Sequence, residues 1–143
     1  MPYRSVHTGI WRDAWFEKLN AESKYFFLYL ITNPGSAQAG LYQLTPRRMA
    51  FDTSLETPLF EELVASLEPR VMYHQGWISV KDYLKYQTPR PRLLIAAFRQ
   101  ARLAPDVLFQ AWLEHNASIL APIRTHIEAR GGAHHNRQSQ QVS

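Results

Sequence analysis

Apolar residues recur at helical spacing in several separate stretches of the chain. Tyr25, Phe26, Leu28, Tyr29 and Leu30 to Thr32 give one broad apolar face, and Asn33-Pro34-Gly35 stops it. Asn20 is the better N-cap for that helix and Ser23 the weaker one. Just upstream, Trp11, Trp15, Phe16 and Leu19 fall at i, i+4, i+5 and i+8, which predicts a helix capping the core from one side. Clustered at that period beside other apolar residues, these aromatics fit core packing better than a stacking platform for bases.

After a small-residue loop, Gly40-Leu41-Tyr42-Gln43-Leu44 reads as a short strand. Thr45-Pro46 then opens a helix with a hydroxyl cap and a proline in the first turn. That helix turns Met49 and Ala50 inward and leaves Arg47 and Arg48 near its exposed start. Thr57-Pro58 repeats the device, and Leu59, Phe60, Leu63, Val64 and Leu67 supply the next buried face until Pro69. The turn between these helices carries Ser54 and Leu55 where many such motifs have glycine. A left-handed residue other than glycine costs about 1 kcal/mol or more, so a less sharp turn is predicted. VMYH and WISVKDYL flank Gln75-Gly76 and predict a β-hairpin with a tight turn.

Beyond the hairpin, two prolines precede a helix beginning near residue 91. Leu94, Ala97, Phe98 and Ala101 form its apolar side, and Arg92, Arg99 and Arg102 share the other. Pro105 breaks it. Asp106 reads as the N-cap of a further helix with Leu108, Phe109, Trp112 and Leu113 apolar, and a last helical stretch has Pro122 near its first turn. The predicted fold is mainly α with a small β-hairpin: a winged helix-turn-helix over 1–88, then a helical extension over 89–130 packed on or following the wing. Residues 131–143 are polar and are expected to be a disordered tail.

Charge changes the picture more by its placement than by its sum. The formal net charge of +4 divides into +1 over residues 1–44, −1 over 45–87 and +4 over 88–143, where seven arginines face Asp106, Glu114 and Glu128. Arginine suits phosphate, because its planar fork donates two hydrogen bonds at once. The second helix of the motif instead carries Glu56, Glu61 and Glu62 where a reader of DNA is usually basic. Carboxylates there are better explained by the helix dipole, worth about 0.3–1 kcal/mol, than by base reading. The expected DNA surface is therefore a phosphate-tracking one made by the wing edge and the helix after it, with the motif as scaffold. Its candidate residues are Arg47, Arg48, Lys81, Lys85, Arg90, Arg92, Arg99 and Arg102.

Several spaced motifs resemble one family. Trp11-x-Asp13-x-Trp15-Phe16, Leu28-Tyr-Leu-Ile-Thr-Asn-Pro34, Gly40-Leu-Tyr-x-Leu44 and the aromatic-led hairpin running into Tyr83-Leu-Lys-Tyr-Gln87 occur in order. Together they are similar to the N-terminal winged-helix module of phage replisome organisers and DnaD-like replication proteins. Pro91 to Phe98 and Leu108 to Leu113 look similar to the segments after the wing in that family, so the resemblance covers roughly residues 4 to 115. It implies DNA binding in replication initiation on a phage or mobile element. The implied partners are DNA, duplex or single-stranded, and a helicase, loader or other replication protein, with self-association open. Many members carry a further C-terminal domain that assists helicase loading, and the polar tail here offers no counterpart. The alternatives are a protein-interaction or oligomerisation module and a small transcription regulator.

Other chemistry finds little footing. Cysteine is absent, which removes disulfides and thiolate metal sites, and the six histidines form no H-x-x-x-H or H-x-x-E-H pair. No phosphate-cradling glycine loop or G-x-S-x-G elbow occurs, and Glu61 and Glu62 diverge by about 100° on a helix. No enzyme activity, metal or cofactor is expected. Without an apolar run long enough to span a bilayer or the apolar core of a secretory signal, the expected location is the cytoplasm.

Overall fold

A computed structural model describes residues 3–87 and 90–129. The fold is a winged helix-turn-helix followed by a helical extension. The expected tail over 131–143 lies outside the described residues. The N-terminal part differs from the single helix predicted around Trp11. A 3-10 turn, Thr8–Arg12, ends at Asp13, whose side chain caps the short helix α1 (Ala14–Glu17) by accepting from the Phe16 N–H at 3.1 Å. The break sends Phe16 into the core and leaves Trp11 57% exposed; Trp15 and Leu19 are half-buried against the core.

Helix α2 (Ala21–Thr32) starts at Asn20, whose side chain accepts from the Ser23 N–H, and ends at Asn33. Buried Asn33 satisfies itself by donating to the Tyr29 carbonyl and the Tyr42 hydroxyl, both at 2.9 Å, while its oxygen accepts from the Gly35 N–H. Strand β1 (Leu41–Gln43) and helix α3 (Pro46–Thr53) follow, with the Thr45 hydroxyl capping the Arg48 N–H at 3.0 Å as its sequence predicts.

The turn after α3 is sharper than predicted. Ser54 takes a left-handed conformation (φ 64°), and the Thr53 hydroxyl binds both the Met49 carbonyl and the Leu55 N–H, which holds the bend closed. Thr57-Pro58 does not cap an α-helix. It forms a 3-10 turn, Thr57–Leu59, and α4 (Phe60–Leu67) begins only after it, without a side-chain cap. Leu59 is half-buried; Phe60, Leu63, Val64 and Leu67 are buried as expected.

Strands β2 (Val71–His74) and β3 (Trp77–Val80) form the wing. Gln75 and Gly76 both have positive φ (49° and 83°), the requirement of a two-residue hairpin turn matched to strand twist. Strand β3 pairs antiparallel with β2 on one side and with β1 on the other, so the sheet order is β1-β3-β2. After β3 come the single-turn helix α5 (Tyr83–Tyr86), then α6 (Pro91–Ala101), α7 (Asp106–His115), a 3-10 turn Ala121–Ile123 and helical residues 124–129. Asp106 is the first residue of α7; Pro105 stands at the cap position.

Alternation along the strands divides the core into two. Tyr42, Ile78 and Val80 join α2, α3 and α4 on one face, whereas Leu41 and Trp77 meet α6 and α7 on the other. The molecule thus has three layers, with the sheet between two groups of helices. Gly40 (φ 73°) allows the closest approach at the edge: a Cβ there would lie 2.6 Å from the Tyr83 Cβ. Among the described residues, two polar side-chain contacts fasten the extension to the winged helix. The Trp112 indole donates to the Ala39 carbonyl at 2.8 Å inside the second core, and the His115 ring lies 2.6 Å from the Asp82 carboxylate.

Candidate nucleic-acid interface

The candidate side chains fall into two groups once their surroundings are known. Arg47, Arg90, Arg92 and Arg99 are exposed, and none of their side chains makes an ion pair or hydrogen bond among the described residues. Lys81 and Lys85 are also exposed. Lys85 lies 5.5 Å from the centre of the Tyr86 ring, and Lys81 directly follows β3, with its N–H bonded to the Arg70 carbonyl at 2.8 Å.

Arg48 and Arg102 differ. Arg48 is paired with Asp52 one helical turn on, through Nε–Oδ2 and Nη2–Oδ1 contacts of 3.2 Å, and its guanidinium sits over Phe51. Asp52 in turn accepts from the Tyr29 hydroxyl at 2.7 Å; burial first and that carboxylate second push the hydroxyl's pKa well up. Asp52 therefore ties α3 to α2, and Arg48 is held along α3 by the same carboxylate. Arg102 lies half-buried over Phe98, and its Nε has no hydrogen-bond partner among the described residues. Helical phase explains it: with 100° per residue, Arg92 and Arg99 lie opposite the stripe of Leu94, Ala97, Phe98 and Ala101, while Arg102 falls at its margin.

Helix α4 presents Glu61, Glu62, Ala65 and Ser66 to the outside, and residues 56–68 hold four glutamates and no basic side chain. Glu61 and Glu62 occupy the first turn, where the positive end of the helix dipole favours them. A groove-inserted α4 would carry these carboxylates toward phosphate without any cation of its own.

The cleft beneath the N-terminal residues has no signature in the sequence. Its volume is about 360 Å³, and Val6, Ile10, Phe27, Ile31, Asp13 and Arg70 are among its walls. Reciprocal bonds of 3.3 Å between the Ser5 backbone and the Gln87 amide, with His7 packed edge-on to Tyr86 at 5.0 Å, lay that segment across α5. On the cleft wall Arg70 lies 4.3 Å from the Trp15 ring centre and 3.4 Å from the Asp13 carboxylate. The Asp13 carboxyl is held below the usual carboxylate range, chiefly by the Phe16 N–H; desolvation opposes this, and the charge and hydrogen bond of Arg70 add to the lowering. The partners stand up to 82 positions apart in the chain, and no local pattern signals them.

Among the described residues no helix is long and apolar enough to cross a membrane. Set against known family models, curated proteins and solved structures, the chain matches none of them.

Proposed function

We propose that the protein binds DNA through phosphates, using the wing end and the outer face of α6, and serves in replication initiation of the phage or mobile-element kind. No catalytic step is part of this role, and a helicase or loader is the proposed protein partner. The observation that carries the DNA reading is the pair Arg92 and Arg99. They stand about 10 Å apart along one helix face, exposed and without an ion pair among the described residues. Arg90 and Lys85 lie just before them in the chain and are exposed as well. The bare, acidic α4 supports the same assignment by elimination, since it offers phosphate nothing. The replication role rests on the ordered motifs from Trp11 to Gln87.

Fluorescence anisotropy with a labelled duplex, and separately a labelled single strand, at two salt concentrations tests the surface. Each duplex phosphate contact contributes about −0.9 to the slope of log affinity against log salt, so Arg92→Ala with Arg99→Ala should flatten it by about 1.8. Unchanged affinity and slope in that double variant would remove α6 from the interface.

A further inference from the structure

The two outer layers of the molecule carry opposite net charge. On the layer built by α3 and α4, Glu56, Glu61, Glu62 and Glu68 are exposed, none with an ion pair among the described residues, and they outnumber Arg47 and Arg48 on α3. On the layer behind the sheet, α6 exposes Arg92 and Arg99, with Arg90 at its start, equally unpaired. Each layer also shows large apolar side chains to the outside. Phe51 on α3 is 79% exposed; Leu103, just after α6, is 73% exposed, and Val107 on α7 57%. The sheet keeps the faces apart, so one chain cannot bring its own glutamates onto its own arginines.

We propose that the glutamate face of α4 docks a second copy of this chain, which presents the arginine face of its α6. Guanidinium forks match carboxylates in geometry as well as charge. Like faces repel, so a two-fold dimer through either face is disfavoured, and the attractive contact joins unlike faces head to tail. Such a contact leaves a free arginine face at one end and a free glutamate face at the other, so that assembly can continue beyond a pair. The inference shares Arg92 and Arg99 with the DNA reading but does not depend on it.

Light scattering on the size-fractionated full chain, at about 50 mM and about 500 mM salt, tests the contact, because exposed charges lose much of their reach as screening shortens. Two charge-reversed proteins are compared, Glu61→Lys with Glu62→Lys, and Arg92→Glu with Arg99→Glu. At low salt the wild type should show an average mass raised roughly twofold or more, falling to monomer at high salt. Each reversed protein alone should be monomeric, and their equimolar mixture should associate, since one retains the arginine face and the other the glutamate face. A wild type that is monomeric at low salt overturns the proposal. So does association that survives in either variant alone, or a mixture of folded variants that stays monomeric. If a reversal disturbs folding by circular dichroism, Glu61→Gln with Glu62→Gln takes its place: a lowered mass supports the contact and an unchanged mass overturns it. Loss of the assembly leaves duplex binding by Arg92 and Arg99 intact as a reading, and loss of duplex binding leaves the assembly intact.

Discussion

Replacing Trp112 by phenylalanine asks whether the extension and the winged helix are one cooperative unit. The indole N–H donates to the Ala39 carbonyl at 2.8 Å; Trp112 is 5% exposed and Ala39 1%. Phenylalanine leaves that carbonyl oxygen buried without its donor, a penalty of about 1–3 kcal/mol. The smaller ring also vacates the space of one or two methylenes beside Phe109 and Ala39, adding about 1 kcal/mol. The sum is about 3 kcal/mol, which in a chain of this size lowers the melting temperature by roughly 10 °C. Urea unfolding followed by circular dichroism, with a thermal melt alongside, measures both quantities. A loss below about 0.5 kcal/mol would refute the fastening. So would a melt in two steps of which only one moves, because the extension would then unfold by itself.

Three further outcomes rest on local geometry. Ser54→Gly should stabilise the protein by about 0.5–1 kcal/mol, since Ser54 holds φ 64° and glycine takes that conformation without a Cβ clash; urea titration reads the gain, and a loss would mean that Ser54 contributes a contact worth more than its strain. Gly40→Ala should cost about 2–5 kcal/mol by the same assay, because the added methyl meets the Tyr83 Cβ at 2.6 Å and the Val80 carbonyl at 2.9 Å in a left-handed backbone. Asp13 has a folded-state pKa below the ordinary 3.8, so the stability it adds is present above that value and lost as pH falls through the lowered one. Asn can still cap α1, so Asp13→Asn isolates the charge: its stability deficit should be full at neutral pH and close as the pH drops below about 4, and a deficit independent of pH would assign it to something other than ionisation.

Local signals are legible where the chain obeys one neighbour-range rule at a time. Asn20, Thr45-Pro46, Asn33-Pro34-Gly35 and Gln75-Gly76 each satisfy or relieve backbone groups within a few residues, and each does so in the structure. Thr57-Pro58 carries the same local signature as Thr45-Pro46, yet it sits three residues after the Ser54 bend. Leu59 and Phe60 must face the core almost at once there, and a 3-10 turn winds them inward sooner than an α-helix would. The absence of glycine at that bend predicts a gentler turn, but the Thr53 hydroxyl bonds to Met49 and Leu55 and holds Ser54 in the strained state. Trp112 to Ala39, His115 to Asp82 and Ser5 to Gln87 are not legible, because each pairing depends on where the sheet delivers residues 33 to 82 positions away. Among the candidate arginines, exposure at Arg92 and Arg99 can be read from helical phase, whereas the capture of Arg48 by Asp52 is already latent in an i, i+4 spacing.

The positions of the charged faces follow from the core. Strands β1 and β3 alternate, so satisfying the first core with Tyr42 and Ile78 obliges Leu41 and Trp77 to emerge on the other face of the sheet. Left bare, that face would be an exposed apolar patch, and α6 with α7 covers it. The stripe that does the covering, Leu94, Ala97, Phe98 and Ala101, fixes the rotation of α6 about its axis. A shift of one residue would turn the helix by about 100°, bringing arginine toward the apolar layer as an unpaired buried charge. Arg92 and Arg99 are thus held outward by packing, with no polar partner among the described residues, and the glutamates of α4 are held outward on the far side by Phe60, Leu63, Val64 and Leu67 in the same way. Packing alone sets two outer faces of opposite net charge, and the proposed polyanion and cationic protein surface would each meet a face already formed. If both proposals hold, phosphate and a neighbouring chain compete for the same guanidinium groups, and relative concentration and salt decide between them.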